Sequence, residues 1–176
     1  MSQDLKGLLD EAYNAFEDSE EMMAYDARHG IKSAAVLTVT DDEAASLIAG
    51  YLAPRIEGKT VIEIGGGIGL LALHMGMIAN RVYCIEANPI WASCFLAALI
   101  ANKPKNISYL FGAADEFAGQ IKGDVAIICT HSGLESMKAV AAQFAPVVID
   151  VYGELIASNP EAFDKTARTL RRIATI

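Results

Sequence analysis

Cysteine is scarce in this sequence, and the features that mark secreted or membrane proteins are missing. The 176 residues include three cysteines, Cys84, Cys94 and Cys129, and no two of them form a C-x-x-C pair. An odd, scattered set argues against a disulfide framework and a zinc site, and it favours a reducing compartment. The sequence has no basic N-terminal region followed by an apolar block, and no uncharged apolar run of about 18 residues. We therefore expect a soluble, cytoplasmic protein with no metal site and no membrane partner.

Positive charge is also in short supply. The formal net charge is −8, from 14 Lys and Arg against 22 Asp and Glu. The one dense basic cluster lies near the C-terminus and contains Lys165, Arg168, Arg171 and Arg172, whereas Lys6 is the single base in the first 27 residues. Proteins that bind nucleic acids draw most of their affinity from cations that neutralise phosphates. The composition therefore disfavours DNA and RNA, and it leaves a small molecule or a protein as the expected substrate.

Apolar residues are abundant, at 53% of the sequence. A chain of this length can bury one sizeable core. The apolar excess fits either a large core or the interface of a homo-oligomer, and composition does not separate the two. Helical spacing of apolar residues predicts a helical N-terminal segment, residues 1–39. Residues 40–176 are predicted to form the main domain.

Short apolar runs alternate with helix-like stretches from residue 60 onwards. The predicted strands are Thr60–Ile64, Arg81–Glu86, Ile107–Phe111, Asp124–Cys129 and Pro146–Val151. They lack polar alternation, so we expect both faces of the sheet to be covered. Strand–helix–strand repetition predicts a three-layer α/β sandwich with a mostly parallel sheet in the order 3-2-1-4-5.

Further elements are expected on either side of these strands. Residues 34–39 are predicted to be extended. Thr40 and Glu43 then form a capping box at the start of a helix, which Pro54 is expected to end. A final helix is predicted to run from Pro160 to the end of the sequence.

A glycine turn follows the first predicted strand. Residues 61–69 read Val-Ile-Glu-Ile-Gly-Gly-Gly-Ile-Gly, which is a strand that ends in glycines before a helix opens. Glycine allows a sharp turn and lets a ligand approach bare backbone. The second strand ends at Glu86, 21 residues after Gly65, where a carboxylate can accept both hydroxyls of a ribose. Ligands of parallel sheets bind beyond the carboxyl ends of the strands, so this turn and Glu86 belong to one candidate site.

These two segments resemble those of the class I S-adenosylmethionine-dependent methyltransferases, which have a Rossmann-like fold. The first motif of that family is apolar-apolar-acid-apolar-Gly-x-Gly-x-Gly, and residues 61–69 match it in full. Its second feature is an acid that ends strand two, often followed by x-Asn-Pro, and residues 86–89 match that. The resemblance covers roughly residues 40–152, and it implies that the N-terminal segment, residues 1–39, acts as a lid or an interface. It implies S-adenosylmethionine as the cofactor and S-adenosylhomocysteine as the product.

The resemblance also implies roles for individual residues. Glu63 should reach the amino end of the cofactor's methionine arm, and the glycines should line its methionine and ribose. Glu86 should hold the ribose diol, while Ala87 or Ile90 packs on the adenine. The cofactor-binding residues implied in this way are Glu63, Gly65, Gly66, Gly67, Gly69, Glu86, Ala87, Ala114 and Asp115.

The chain departs from the family pattern in three places. Many members carry Gly-Asp-Ala after strand three, but residues 112–115 read Gly-Ala-Ala-Asp, so Asp115 or the backbone of Ala113 and Ala114 takes the adenine contact. Residues 129–133 lack the Pro-Pro-aromatic motif of enzymes that methylate nucleic-acid amino groups. The usual closing hairpin of strands six and seven is expected to be missing, which leaves a minimal C-terminus.

His131 is the candidate catalytic residue. It follows the fourth predicted strand, at the expected rim of the pocket. A methyl donor that is already activated needs mainly positioning, and a base is required only when the acceptor must lose a proton. The titration range of histidine suits that task, although a loop histidine bonded to backbone is the alternative.

Four functions remain open at this point. An S-adenosylmethionine-dependent methyltransferase comes first, and a non-catalytic or partner-dependent S-adenosylmethionine-binding subunit is the alternative that the missing hairpin suggests. An NAD-binding domain is weaker, because a GxGxxG motif from Gly65 requires glycine where Leu70 stands. A transferase that uses the aminopropyl arm of the same cofactor has only the shared fold in its favour.

Overall fold

The computed structural model describes eight stretches of the chain from residue 37 onwards and four further positions before them. These are residues 37–40, 42–88, 91–92, 95–96, 102–129, 134–151, 153–154 and 170–173, together with 20, 23, 24 and 27. The four further positions are helical. Among these residues there is no helix with the length and apolarity that a membrane span requires.

Strands and helices alternate along most of the described chain. In order, the elements are β1 (Leu37–Thr40), α1 (Asp42–Ile56), β2 (Thr60–Ile64), α2 (Leu70–Met75), β3 (Arg81–Glu86), β4 (Ile107–Phe111), α3 (Ala114–Phe117), β5 (Val125–Ile128), α4 (Leu134–Ala141), β6 (Val147–Asp150) and β7 (Leu170–Ile173). Between β3 and β4, positions 91, 92, 95, 96 and 102 are also helical.

Five strands form the central sheet, in the spatial order β4-β3-β2-β5-β6. Every pair in it is parallel. Counted from β2 along the chain, this is the order 3-2-1-4-5, so the predicted topology and the Rossmann-like fold class are confirmed. The bounds of β2, β3 and β4 agree with prediction, and β5 and β6 are each one residue shorter at both ends.

Both faces of this sheet are covered, because alternate residues of each strand enter opposite hydrophobic clusters. On one face, Val61 and Val82 pack with Ile48 of α1 and Leu71 of α2. On the other face, Ile62 and Ile85 pack with residues of α4 and the segment after it. Strands buried on both sides need apolar side chains at every position, which explains the uninterrupted apolar runs in the sequence.

An aromatic pair supports the turn between β2 and α2. Phe95, which is fully buried, stacks on Tyr109 of β4 with a centroid distance of 4.3 Å. Gly69 sits against this pair, and a Cβ placed on it would lie 1.5 Å from a ring carbon of Phe95. The turn can therefore rest on the aromatic ring only where position 69 has no side chain.

Helix α1 does not end at Pro54, contrary to the prediction. It continues to Ile56 with Pro54 inside it. A proline here removes the bond to the carbonyl of Gly50 and crowds that carbonyl. Gly50 and Pro54 are both exposed, so water can hydrogen-bond the carbonyl and the helix survives.

The predicted C-terminal helix is wrong at residues 170–173. These residues form β7, which pairs antiparallel with β1, so that Leu37 lies opposite Ile173 and Thr40 opposite Leu170. Leu and Arg favour helices locally, but β1 offers an extended pairing partner more than 130 residues away, and sequence periodicity cannot show such a partner. The extended segment predicted before α1 is confirmed for residues 37–39.

We expect Gly69→Ala to lower the free energy of unfolding by about 2 kcal/mol or more, because it combines a left-handed backbone with overpacking. Position 69 has φ 79°, and its new methyl group would overlap the ring of Phe95. Gly50→Ala is the matched control, because a Cβ there meets nothing within 4 Å and α1 is helical at this point. The control should gain up to about 1 kcal/mol. Urea unfolding measures both, and a Gly69→Ala variant as stable as the wild type would contradict the packing argument.

Candidate functional site

The glycine turn leaves β2 and crosses toward β3. The amides of Gly65 and Gly66 both donate to the carbonyl of Ile85, at 3.0 and 3.1 Å. The amide of Gly69 then donates to the carbonyl of Gly66 at 2.9 Å, which closes the turn before α2 begins. These backbone hydrogen bonds help to hold the turn, and every position from 65 to 69 except Ile68 is a glycine.

Gly67 is the most open point of this turn. Its φ of 55° lies in the left-handed region that favours glycine. A Cβ built on it meets no heavy atom of the described residues within 4 Å, unlike the crowded Gly66 and Gly69. A ligand can therefore approach the backbone of the turn here without displacing protein atoms.

Glu86 ends β3 and binds this turn. One carboxylate oxygen, Oε2, accepts the amide of Gly67 at 2.7 Å, and the other, Oε1, accepts the amide of Asn88 at 2.7 Å. Glu86 is 9% exposed, and this burial raises the pKa of its carboxyl, while bonds from the backbone of Asn88, Gly67 and Ala87 oppose the rise. A carboxylate offers about four acceptor sites, so these three bonds leave one for a hydroxyl donor.

Glu63 lies directly beneath the turn and is 1% exposed. It is paired with Cys84 in the register of β2 and β3, and its carboxyl shares a hydrogen bond with the Cys84 thiol. Within the described part of the chain, its Oε2 is a buried atom with no hydrogen-bond partner. Burial, helped by the nearby charge of Glu86, raises the pKa of Glu63 from its ordinary 4.5 to about 8, although the bond from Cys84 opposes the rise.

The residues expected around an adenine come from the ends of β3 and β4. The amide of Gly112 donates to the carbonyl of Glu86 at 2.9 Å, which holds these two strand ends together. Ala87 is half-buried and Ala114 is buried at the start of α3. Asp115 is exposed in the first turn of α3, and the structure gives its side chain no role at the site. Its contact with adenine stays a prediction.

His131 and Ile90 lie outside the described residues, so their predicted roles are untested. The nearest described residue before His131 is Cys129, whose amide donates to the carbonyl of Ile64 at 3.2 Å. This bond carries the end of β5 alongside the end of β2, next to the glycine turn. The chain therefore brings position 129 to the candidate site.

The sequence analysis missed the part that Cys84 plays, since it assigned no chemistry to the cysteines. A signal was available in the predicted strand bounds. If parallel strands 60–64 and 81–86 pair from their first residues, then Glu63 falls opposite Cys84, as it does in the structure. Side chains at paired positions lie on the same face of a sheet, so the contact followed from register alone.

The segment after β6 is tied to α1. Arg55 donates to Oε2 of Glu154 at 2.5 Å, and the hydroxyl of Tyr51 donates to the same oxygen at 3.2 Å. The guanidinium of Arg55 also lies 4.9 Å from the ring centroid of Tyr51. This chain segment is thus drawn toward the α1 side of the sheet at the point where the family's additional hairpin would follow.

Comparisons with solved structures place this fold among methyltransferases and related enzymes of corrinoid chemistry. The precorrin-6y C5,15-methyltransferase of Geobacter metallireducens matches with a TM-score of 0.56 and 16% identity, over 73% of this chain and 71% of that one. The precorrin 8w decarboxylase of Methanobacterium thermoautotrophicum matches with a TM-score of 0.55 and 23% identity, over 74% of each chain. PH1948 of Pyrococcus horikoshii, a candidate RNA methyltransferase, matches with a TM-score of 0.52 and 22% identity, over 60% of this chain.

These likenesses show the Rossmann-like fold and no more, because the identities are below 25%. The chain spans 57% of the length of PH1948. No family model matches the sequence, and no curated protein matches it. The activity and the substrate must therefore be argued from the site itself.

Gly66 and Cys84 make a sharp test of the site's packing. A Cβ on Gly66 would lie 2.0 Å from Sγ of Cys84, so Gly66→Ala should destabilise the protein by about 1–3 kcal/mol. Adding Cys84→Ala removes the clashing atom, so the double variant should lose less than the sum of the two single losses. Urea unfolding of the four proteins measures this coupling. Strictly additive losses would contradict the contact.

Proposed function

We propose that this chain is the S-adenosylmethionine-binding domain of a methyltransferase, with the cofactor lying across the carboxyl ends of β2, β3 and β4. The observation that supports this most is the geometry of Glu86. Its carboxylate is fixed by two backbone amides, beside a Gly67 whose outer side is open. A fixed carboxylate suits a ribose, whose hydroxyl can donate to it. The uncrowded backbone at Gly67 leaves room for the rest of the cofactor to lie along the turn.

The residues of the site fit this cofactor in three respects. Gly67 leaves room for close approach to the backbone. Glu86 keeps an acceptor site for a ribose hydroxyl. Glu63 has a buried carboxyl oxygen without a hydrogen-bond partner among the described residues, which suits the positive amino group of a methionine arm. Ala87 and Ala114 add small apolar surfaces for the adenine, and Gly65, Gly66 and Gly69 shape the turn.

The cofactor supplies a methyl group on a positively charged sulfur, which is already activated for displacement. The chain's own contribution is therefore to hold the two reacting partners in line and to exclude water. Glu86 and the glycine turn would fix one end of the cofactor, and Glu63 would fix the other. Where the acceptor must lose a proton, His131 remains our candidate base.

An NAD-binding domain is the weaker alternative. The third glycine of a dinucleotide motif lets the helix pack closely against the strand, and Leu70 occupies that place. Leu70 packs against the core cluster of α1 and α2. Because Leu70 stands where the dinucleotide motif has its third glycine, the turn departs from that motif, which disfavours NAD.

For the acceptor we favour a small molecule or a protein side chain. The net charge of −8 opposes a general attraction to phosphates. The name of PH1948 refers to RNA, which makes RNA the competing acceptor. Of the basic cluster near the C-terminus, Arg171 and Arg172 belong to β7, outside the five-stranded sheet that carries the site. A non-catalytic, partner-dependent subunit is the alternative from another class.

Glu86→Ala tests the cofactor site. Calorimetry should compare S-adenosylhomocysteine with its 2′-deoxy analogue, because removing a hydroxyl bonded to a carboxylate costs about 1.5–3 kcal/mol. The wild type should show that loss, and Glu86→Ala should bind the two ligands almost equally. This comparison separates the lost hydroxyl contact from any loosening of the turn, which affects both ligands alike.

Glu57→Ala is the matched control, because Glu57 is exposed in the turn after α1 and should leave both affinities unchanged. Thermal melts with NAD run alongside. Ligand at a hundred times its dissociation constant adds about 2.7 kcal/mol. Stabilisation by NAD but by neither sulfur nucleotide would overturn the assignment.

The acceptor can be found with a tritium-labelled methyl donor and fractionated cell extract. We expect label in the small-molecule or the protein fraction, and we expect Glu86→Ala to abolish it. Label confined to RNA would make the proposed acceptor class wrong while leaving the methyltransferase intact. Tight cofactor binding without label in any fraction, including RNA, would favour the non-catalytic subunit.

A further inference from the structure

The buried pair formed by Glu63 and Cys84 has a composition unusual for a binding site. Acidic side chains are almost never fully buried unless a cation or several donors accompany them. Glu63 is 1% exposed, and the side chains that act on its titration are the Cys84 thiol and the Glu86 carboxyl, neither of which is a cation. One of its oxygens has no partner in the described residues. The arrangement is therefore poor for a negative charge and good for a neutral acid.

The elements packed around Glu63 supply no compensating charge among the residues described. From β3 it faces Cys84 and Glu86, and the pKa of the Cys84 thiol is itself raised, by burial first and by Glu63 second. From β5 the titratable neighbour is Cys129, which adds to the rise in the pKa of Cys84. On α2, the imidazole of His74 is hydrogen-bonded to Asp42, with 2.8 Å between Nε2 and Oδ1. From β4, the register places Tyr109 beside Cys84, and its ring stacks on that of Phe95.

The glycine turn decides what can reach this carboxyl. A Cβ at Gly66 would lie 3.3 Å from Oε2 of Glu63 and 2.0 Å from Sγ of Cys84. The turn therefore passes directly over both side chains with backbone alone. The unpartnered oxygen lies just beneath the turn whose next residue, Gly67, is open on its outer side.

We propose that Cys84 is a positioning residue for Glu63, and that Glu63 carries a proton in the free protein and releases it to solvent when the cofactor's ammonium group binds. This inference rests on the proposed function. In the exchange, the O–H bond of Glu63 breaks and its proton passes to buffer. The ammonium keeps its own protons, and one of its N–H groups donates to the freed oxygen. The Cys84 S–H bond stays intact, and the thiol donates a hydrogen bond to the other carboxyl oxygen of Glu63.

The role of Cys84 follows from the same balance. A thiol that donates to the carboxylate stabilises its charged form, so it lowers the cost of ionisation without providing a competing positive charge. An arginine or lysine in its place would keep Glu63 ionised and would occupy the oxygen that the ammonium needs. A weak, neutral donor leaves the acid ready to ionise when a cationic ligand arrives.

The free protein offers a test that needs no cofactor. Because the pKa of Glu63 is raised from 4.5 to about 8, its contribution to stability is fully present below pH 4.5 and is lost as pH rises toward 8. Glu63→Gln keeps the shape of the side chain and cannot ionise. The wild type should lose more stability than this variant between pH 5 and pH 8.5, measured by urea unfolding, and equal losses would overturn the inference.

Calorimetry with S-adenosylhomocysteine tests the proton release directly. At pH 7, titrations in buffers of different ionisation enthalpy should report close to one proton released by the wild type and none by Glu63→Gln. Affinity of the wild type should increase about tenfold per pH unit from pH 6 to 7.5. The affinity of Glu63→Gln should be flat over that range.

Cys84 variants separate positioning from simple packing. Cys84→Ala removes the donor, so the pH at which wild-type affinity levels off should move upward. Cys84→Ser supplies a stronger donor, so that pH should move downward. If Cys84 has a purely structural role, both variants should change the affinity without moving the pH at which it levels off. That result would overturn the proposal that Cys84 positions Glu63.

Infrared spectroscopy of the wild type covers the case in which a variant fails to fold. A protonated carboxyl band should be present at pH 6.5 and should disappear on addition of S-adenosylhomocysteine. Tight binding with no buffer-dependent enthalpy and no loss of this band would overturn the inference alone. Absence of binding to the sulfur nucleotides would overturn the proposed function and the inference with it.

Discussion

The bond between the Glu86 carboxylate and the amide of Gly67 is the interaction on which the candidate site depends. It joins the end of β3 to the turn that follows β2, while a second bond to the amide of Asn88 fixes the carboxylate itself. Charge-assisted bonds of this kind are roughly twice as strong as neutral ones, so the turn is held open in one geometry. The open side of Gly67, the position of Glu63 beneath the turn and the spacing of the strand ends all follow from that geometry.

The site concentrates features that would be costly elsewhere in the fold. Two acidic side chains are buried within one cluster, and glycines replace residues that could have added packing. Strain and desolvated charge persist where the surrounding structure enforces them, and they gather at functional sites. Here the hydrophobic clusters on both faces of the sheet and the ring of Phe95 hold these residues in place. This concentration indicates a functional site at the carboxyl ends of the strands rather than at their amino ends.

The fold alone leaves the chemistry of the acceptor open. A methyltransferase and a decarboxylase of corrinoid chemistry share this architecture with the chain, as does a candidate RNA methyltransferase. Only the residues at the strand ends can distinguish such activities. The cofactor end of the site that we propose is formed by Glu63, Gly67 and Glu86. The acceptor end would lie near the loop after β5, where His131 falls outside the described residues.

The sequence by itself determined the sheet and the glycine turn, because apolar runs buried on both faces and a run of glycines are local signals. The structure added the register of β2 and β3, which places Glu63 opposite Cys84, a contact that the sequence analysis did not predict. Only the tertiary structure decided that β7 pairs with β1 and that α1 continues past Pro54. It also decided that one oxygen of Glu63 has no hydrogen-bond partner among the described residues. These depend on partners distant in sequence and on solvent exposure. Local propensity cannot report either of them, because burial and pairing are properties of the assembled chain.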